Sequence, residues 1–177
     1  MNSKQIEQCL GFLGQKLADM QIKATILILG GAVMVTQIGN RRTTQDIDAI
    51  IATNDPATYR AVQQAIKLVT QEKKLASVWL NDDVTIVVDQ IGRPRTPKLW
   101  KTFANLNVYV PELEYILALK LFSGRERDEL DIKALAQRLQ ITTKKDAWAI
   151  VSSYIPAMQI TMRREHTDRA INQCFAN

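Results

Sequence analysis

Near the start of the chain, apolar residues recur every three to four positions, at Ile6, Leu10, Leu13 and Leu17. That spacing predicts an amphipathic helix over residues 5–19. The pattern then changes. Thr25-Ile26-Leu27-Ile28-Leu29 is a continuous, partly β-branched apolar run that stops at two glycines, the pattern of a short buried strand. Ala32 to Ile38 is apolar over most of a short helix, and Gly39 is placed to end it. Gln45 to Ile51 reads as a second strand. Asp55-Pro56 supplies an N-cap and a first-turn proline for a helix through about Lys73, with Tyr59, Val62, Ile66 and Val69 as its core stripe. A strand is expected near Ser77 to Leu80. Val84 to Asp89 is β-branched enough for another, with a helix as the alternative, and Leu106 to Val110 alternates as a strand.

From Pro111 onward the periodicity is helical. Helices are predicted over Glu112–Ser123, Asp128–Leu139, Lys144–Tyr154 and about Thr161–Phe175, with Thr142 or Thr143 as an N-cap and Pro156 separating the last two. The chain therefore reads as α+β. A mixed-sheet core over residues 1–110 is followed by a helical part over residues 111–177, packed together as one compact unit.

Composition narrows the class. The 177 residues are 46% hydrophobic and 23% charged, ordinary values for a globular protein. The longest apolar run, Ile26 to Val35, is too short for a bilayer span and contains two glycines. Lys4, Glu7, Lys16 and Asp19 interrupt any secretory pattern, so the expected location is the cytoplasm, with no membrane partner. Cys9 and Cys174 have no metal-binding spacing and read as free thiols. A net charge of +5 and a pI near 9.3 favour an anionic partner, whether a nucleotide, RNA or an acidic protein. His166, the one histidine, sits among charges in the last helix, which argues against a Ser/His/Asp hydrolase or a multi-histidine metal site.

The candidate chemistry lies around the first two strands. Gly30 and Gly31 lack a Cβ, so another group such as a phosphate can approach the main chain closely, and the helix that follows would point free N–H groups at an anion. In a strand, residues two apart share a face, so Asp46 and Asp48 present parallel carboxylates. Two like charges that close are costly unless compensated, and a hard divalent cation with oxygen ligands is the usual compensation. That is the chemistry of Mg²⁺-assisted phosphoryl or nucleotidyl transfer. Between strands, Gly92-Arg93-Pro94-Arg95-Thr96-Pro97-Lys98 must be a loop or extended segment. It is either simply solvated, or Arg93, Arg95 and Lys98 flank a cleft and meet a polyanion.

The order Gly30-Gly31, a short helix, Arg42-Thr43, then Asp46-Ile47-Asp48 resembles the signature of the nucleotidyltransferase superfamily. Leu117-Ala118-Leu119-Lys120-Leu121, followed by Arg125, Asp128 and Asp131, looks like the distal lysine and Arg-Asp-x-x-Asp motif of small nucleotidyltransferase-like proteins of toxin–antitoxin modules, the AbiEii type and its relatives. Trp79-Leu80-Asn81-Asp82-Asp83 is similar to a motif of small bacterial members. The resemblance covers about residues 25 to 135. It implies a nucleotidyltransferase fold, a small mixed β-sheet flanked by helices. It also implies that Asp46 and Asp48 hold Mg²⁺ against the triphosphate of an NTP such as ATP, with Gly30, Gly31, Arg42 or Arg41, Thr43 or Thr44, Lys120 and Asp128 around the nucleotide. A third carboxylate is implied on a neighbouring strand, as a ligand or base; Asp82, Asp83 and Asp89 are available, Asp83 and Asp89 being favoured equally. Asp128 also reads as a helix cap, and Asp131 as a partner of Arg125 or Lys120. The implied acceptor is a hydroxyl of RNA, tRNA included, or of a partner protein. The alternative is a catalytically silent binding protein or antitoxin of the same fold.

Overall fold

The opening apolar stripe folds into α1, Ser3–Asp19, with Ile6, Leu10, Leu13 and Leu17 fully buried. Asn2 and Gln5 close its first turn as a capping box, side chain to backbone in both directions at 2.9 and 2.8 Å. Such a cap stabilises by about 1 kcal/mol. The computed structural model describes residues 1–175 in two compact units. The first unit comprises residues 1–85 and 97–110, the second residues 86–96 and 111 onward.

The first unit is built on a five-stranded mixed sheet in the order β3-β2-β1-β5-β4. β1 (Ala24–Ile28) pairs antiparallel with β2 (Ile47–Ile51) and parallel with β5 (Leu106–Val110). β3 (Leu80–Asn81) runs parallel to β2, and β4 (Lys98–Phe103) is antiparallel to β5. After β1 comes α2, Gly30–Val33, which widens into a π-helical turn over Met34–Ile38 and stops at Gly39 in the left-handed conformation. The expected helix is present. Its regular α portion is only four residues long, so little dipole is aligned at its start.

α3 spans Pro56–Lys73, with Asp55 accepting from the Ala57 and Thr58 N–H groups as the N-cap. Val62, Ile66 and Val69 are buried as expected, but Tyr59 is exposed. Its phenol turns instead toward a carboxylate. β4 was not foreshadowed by any alternation, because it is the edge of the sheet and most of its side chains are exposed on both faces. α1 packs directly onto it: a Cβ on Gly14 would lie 1.9 Å from the Phe103 carbonyl oxygen.

Val84–Ile91 forms α4, not a strand. Val88 and Ile91, three residues apart, are buried while Ile86 and Val87 are exposed. A β-branched run fits a strand only where a neighbouring strand is available to pair with it, and one-sided burial at that spacing is helical.

In the second unit α5, Leu113–Ser123, is buried nearly all round, from Tyr115 through Phe122, as suits a central helix. α6 (Glu129–Leu139, entered through a 3₁₀ turn at Glu126–Asp128), α7 (Lys144–Tyr154) and α9 (Arg164–Cys174) pack against it. Thr143 is the N-cap of α7. The last helix expected from the sequence is α9, and a short helix not expected, α8 (Ala157–Met162), precedes it, the two broken at Arg163, whose backbone leaves the helical region. Among the described residues no helix is long and apolar enough to cross a membrane.

Candidate active site

The site begins where β1 stops. The Leu29 N–H donates to the Asp48 carbonyl at 2.8 Å, which lays the Gly30–Gly31 turn beside β2. Gly30 has φ +57°, and a Cβ there would come 2.5 Å from Asp48 Oδ2. The carboxylate thus occupies the space that only a glycine leaves. Gly31 is set in the same way, since a Cβ on it would meet Thr44 Oγ1 at 2.4 Å. The two glycines form a surface against which a carboxylate and a hydroxyl rest.

Asp48 stands on β2 and Asp46 just before it, both half-buried. β3 pairs with β2 so that Asn81 is opposite Asp48, and Asn81 Nδ2 lies 3.5 Å from Asp46 Oδ2, the long limit of a hydrogen bond. Gly30, Gly31, Thr44, Asp46, Asp48 and Asn81 are therefore brought together within the first unit. Asn81 carries information that the sequence hid, and of the two threonines the sequence offered, Thr44 is the one placed against Gly31. Asn81 joins the site only through parallel register with β2, and Thr44 only through the fold of the loop. Thr43 and Arg42 lie exposed in that loop.

The carboxylates expected as a third member lie elsewhere. Asp82 follows β3 and accepts hydrogen bonds from the Tyr59 hydroxyl and from Gln63 Nε2, the latter at 3.1 Å. The bond to Asp82, assisted by burial, raises the Tyr59 phenol above its usual range. Asp83 is exposed in the turn before α4. Asp89 lies on α4 and not on a strand; it belongs to the second unit, where Arg93 pairs with it at 2.8 Å. Among the described residues no group of three or more His, Cys, Asp and Glu side chains is placed to hold a metal ion.

Lys120 and its expected neighbours form a separate cluster in the second unit. Its Nζ lies 2.8 Å from Asp128 Oδ1 and 2.6 Å from Asp131 Oδ2, and all three residues are buried. The lysine does not reach solvent from its apolar helix; it joins α5 to the start of α6. Arg125 is exposed at the N-cap of the 3₁₀ turn.

The basic segment after α4 is pinned down in the second unit. The Arg95 and Thr96 N–H groups donate to the Glu112 carboxylate at 2.7 and 3.2 Å, and the Tyr115 hydroxyl donates to the Gly92 carbonyl at 2.8 Å. The Arg95 guanidinium lies 4.8 Å from the centre of the Tyr154 ring and donates to the Ser153 carbonyl. Burial pushes the Glu112 carboxyl up, but the hydrogen bonds it accepts outweigh that and leave it below its usual value. Arg93 and Arg95 are thereby engaged by the protein itself.

Residues 12–145 match a family described as nucleotidyltransferase of unknown function (DUF6036). The chain belongs to this family. No curated protein and no solved structure is a significant match. The matched span takes in both the Gly30 to Asp48 segment and the Lys120 cluster. The α+β architecture, a five-stranded mixed sheet flanked by helices, is compatible with the nucleotidyltransferase-like fold.

Proposed function

We propose that this family member transfers a nucleoside monophosphate from a nucleoside triphosphate to a hydroxyl, with Asp46 and Asp48 holding Mg²⁺. The observation that carries the reading is the placement of the Asp48 carboxylate against Gly30, in a space a Cβ would fill, with Asp46 two residues away and Asn81 opposite. Two carboxylates with an amide and a hydroxyl nearby are the hard oxygen donors that this cation takes. When bound, Mg²⁺ would neutralise charge on the phosphates and on the departing pyrophosphate.

The remaining work falls to the chain. The Gly30–Gly31 turn seats the Asp48 carboxylate and the Thr44 hydroxyl, and exposed Arg42 offers a planar pair of donors to phosphate oxygens. Lys120 takes no phosphate role in this reading, because Asp128 and Asp131 already engage its charge. The acceptor is RNA or a partner protein, and a place in a toxin–antitoxin module follows from the AbiEii-type resemblance. A second reading, a silent nucleotide-binding member or antitoxin, is favoured by Asn81 standing on the neighbouring strand where a third carboxylate would be expected.

Binding of Mn²⁺ as a paramagnetic substitute tests the metal assignment, followed by water-proton relaxation. Asp46→Asn and Asp48→Asn should each weaken binding by more than the roughly tenfold that loss of an outer-shell partner costs, with the circular dichroism spectrum unchanged. Wild-type affinity in both variants would remove the assignment.

A further inference from the structure

α3 carries an unassigned feature on its outer side. Its inward face is fixed by Val62, Ala65, Ile66 and Val69, which are buried. At 3.6 residues per turn, Arg60, Gln64, Lys67 and Gln71 fall in one row on the opposite side, and Lys74 follows as the C-cap, where the backbone turns left-handed. All five are exposed. The row contains no acidic residue, and Glu72, the one acidic residue within α3, is taken by Lys16 at 2.6 Å. Among the described residues neither Lys67 nor Lys74 has an ion-pair partner, and Arg60 has only the nearby charge of the N-cap Asp55. The three cations are seven residues apart, about 10 Å per step and about 21 Å in all.

We propose that this face of α3 docks the sugar–phosphate backbone of double-stranded RNA. Three like charges spaced along an exposed helix gain most from a ligand whose charge is also repeated along a line. The row itself has no aromatic side chain on which unpaired bases could stack, the neighbouring Tyr59 being tied through its hydroxyl to Asp82, and its contacts would be to the backbone of a duplex. Gln64 and Gln71 alternate with the cations. An amide both donates and accepts, which matches the 2′-hydroxyl of RNA and has no counterpart on DNA. The row begins at Arg60, beside Tyr59, which with Gln63 holds Asp82, the residue after Asn81. Naming RNA as the acceptor rests on the transferase reading, whereas the docking face stands by itself.

The test is fluorescence anisotropy of the full chain with a labelled short RNA duplex, over a range of salt concentrations. Each phosphate contact contributes about 0.9 to the slope of log affinity against log salt, so Arg60→Ala/Lys67→Ala/Lys74→Ala should lower it by about 2 to 3. Gln64→Ala/Gln71→Ala should narrow the preference for RNA over a DNA duplex of the same sequence. Asp46→Asn should bind RNA as the wild type does even if transfer is lost, which separates this proposal from the catalytic one. An unchanged salt slope in the triple variant, equal binding of DNA, or displacement of RNA by polyglutamate as readily as by unlabelled RNA would each overturn it.

Discussion

Gly30 and Asp48 constrain one another at the scale of single residues. With φ at +57° and Asp48 Oδ2 2.5 Å from where its Cβ would be, Gly30→Ala must strain the backbone and displace the carboxylate. We expect it to cost about 1–3 kcal/mol of stability and to weaken Mn²⁺ binding along with it; a variant that binds Mn²⁺ normally would show that the turn does not position Asp48. Lys120 is a different case. Replacing it by methionine removes the cation that the buried Asp128 and Asp131 share, a loss of about 3–5 kcal/mol readable in urea unfolding. Adding Asp128→Asn and Asp131→Asn to Lys120→Met should recover much of that loss, because the triple change removes the buried carboxylates together with the cation they share; no recovery would contradict the pairing. The glycine and aspartate pairs were legible in the sequence because their chemistry is local. Asn81 was not, since an asparagine acquires meaning there only from the register of β3 on β2, whereas the Lys120–Asp131 pair was among the pairings read from the sequence and the structure forms it, with Asp128 as a second partner.

At the scale of elements, legibility follows how much of an element's burial is one-sided. α1 and α3 each bury one stripe and were readable nearly to their ends, α3 helped by its cap at Asp55. β4 buries little, and its periodicity carries no signal. In α4 residue type and burial pattern disagree, and burial decides. The segment Gly92–Thr96 illustrates the limit most clearly: its proline and arginines mark a loop, yet nothing local says that Glu112, Tyr115 and Tyr154 hold it. Burial first, and the Glu112 charge second, push the Tyr154 phenol up to about 12 from its ordinary value of 10.0. A raised value means the neutral phenol is favoured in the fold, so its stabilisation is complete below pH 10 and is lost as pH rises through about 12. The stability difference between wild type and Tyr154→Phe should therefore shrink across that interval in urea titrations. A difference that stays constant with pH would mean that the phenol's titration is not linked to folding.

For the whole molecule, the candidate residues divide between two units. The glycine turn, Thr44, Asp46, Asp48 and Asn81 belong to the first, and Asp89 and the Lys120 cluster to the second. Residues 86–96, read with the first part from the sequence, group with the helical unit, and the chain passes between units three times. Such interleaving leaves little trace in composition, because each crossing falls within or beside an ordinary element; the first interrupts α4 between Thr85 and Ile86. The central claim, that the first unit carries a metal-dependent nucleotidyl-transfer centre, is most directly tested by transfer of label from each α-labelled NTP, with Mg²⁺, onto total RNA and onto protein. We expect label on one acceptor class with the wild type and none with Asp46→Asn/Asp48→Asn, both proteins being folded; equal labelling by the two proteins, or none by either, would contradict it.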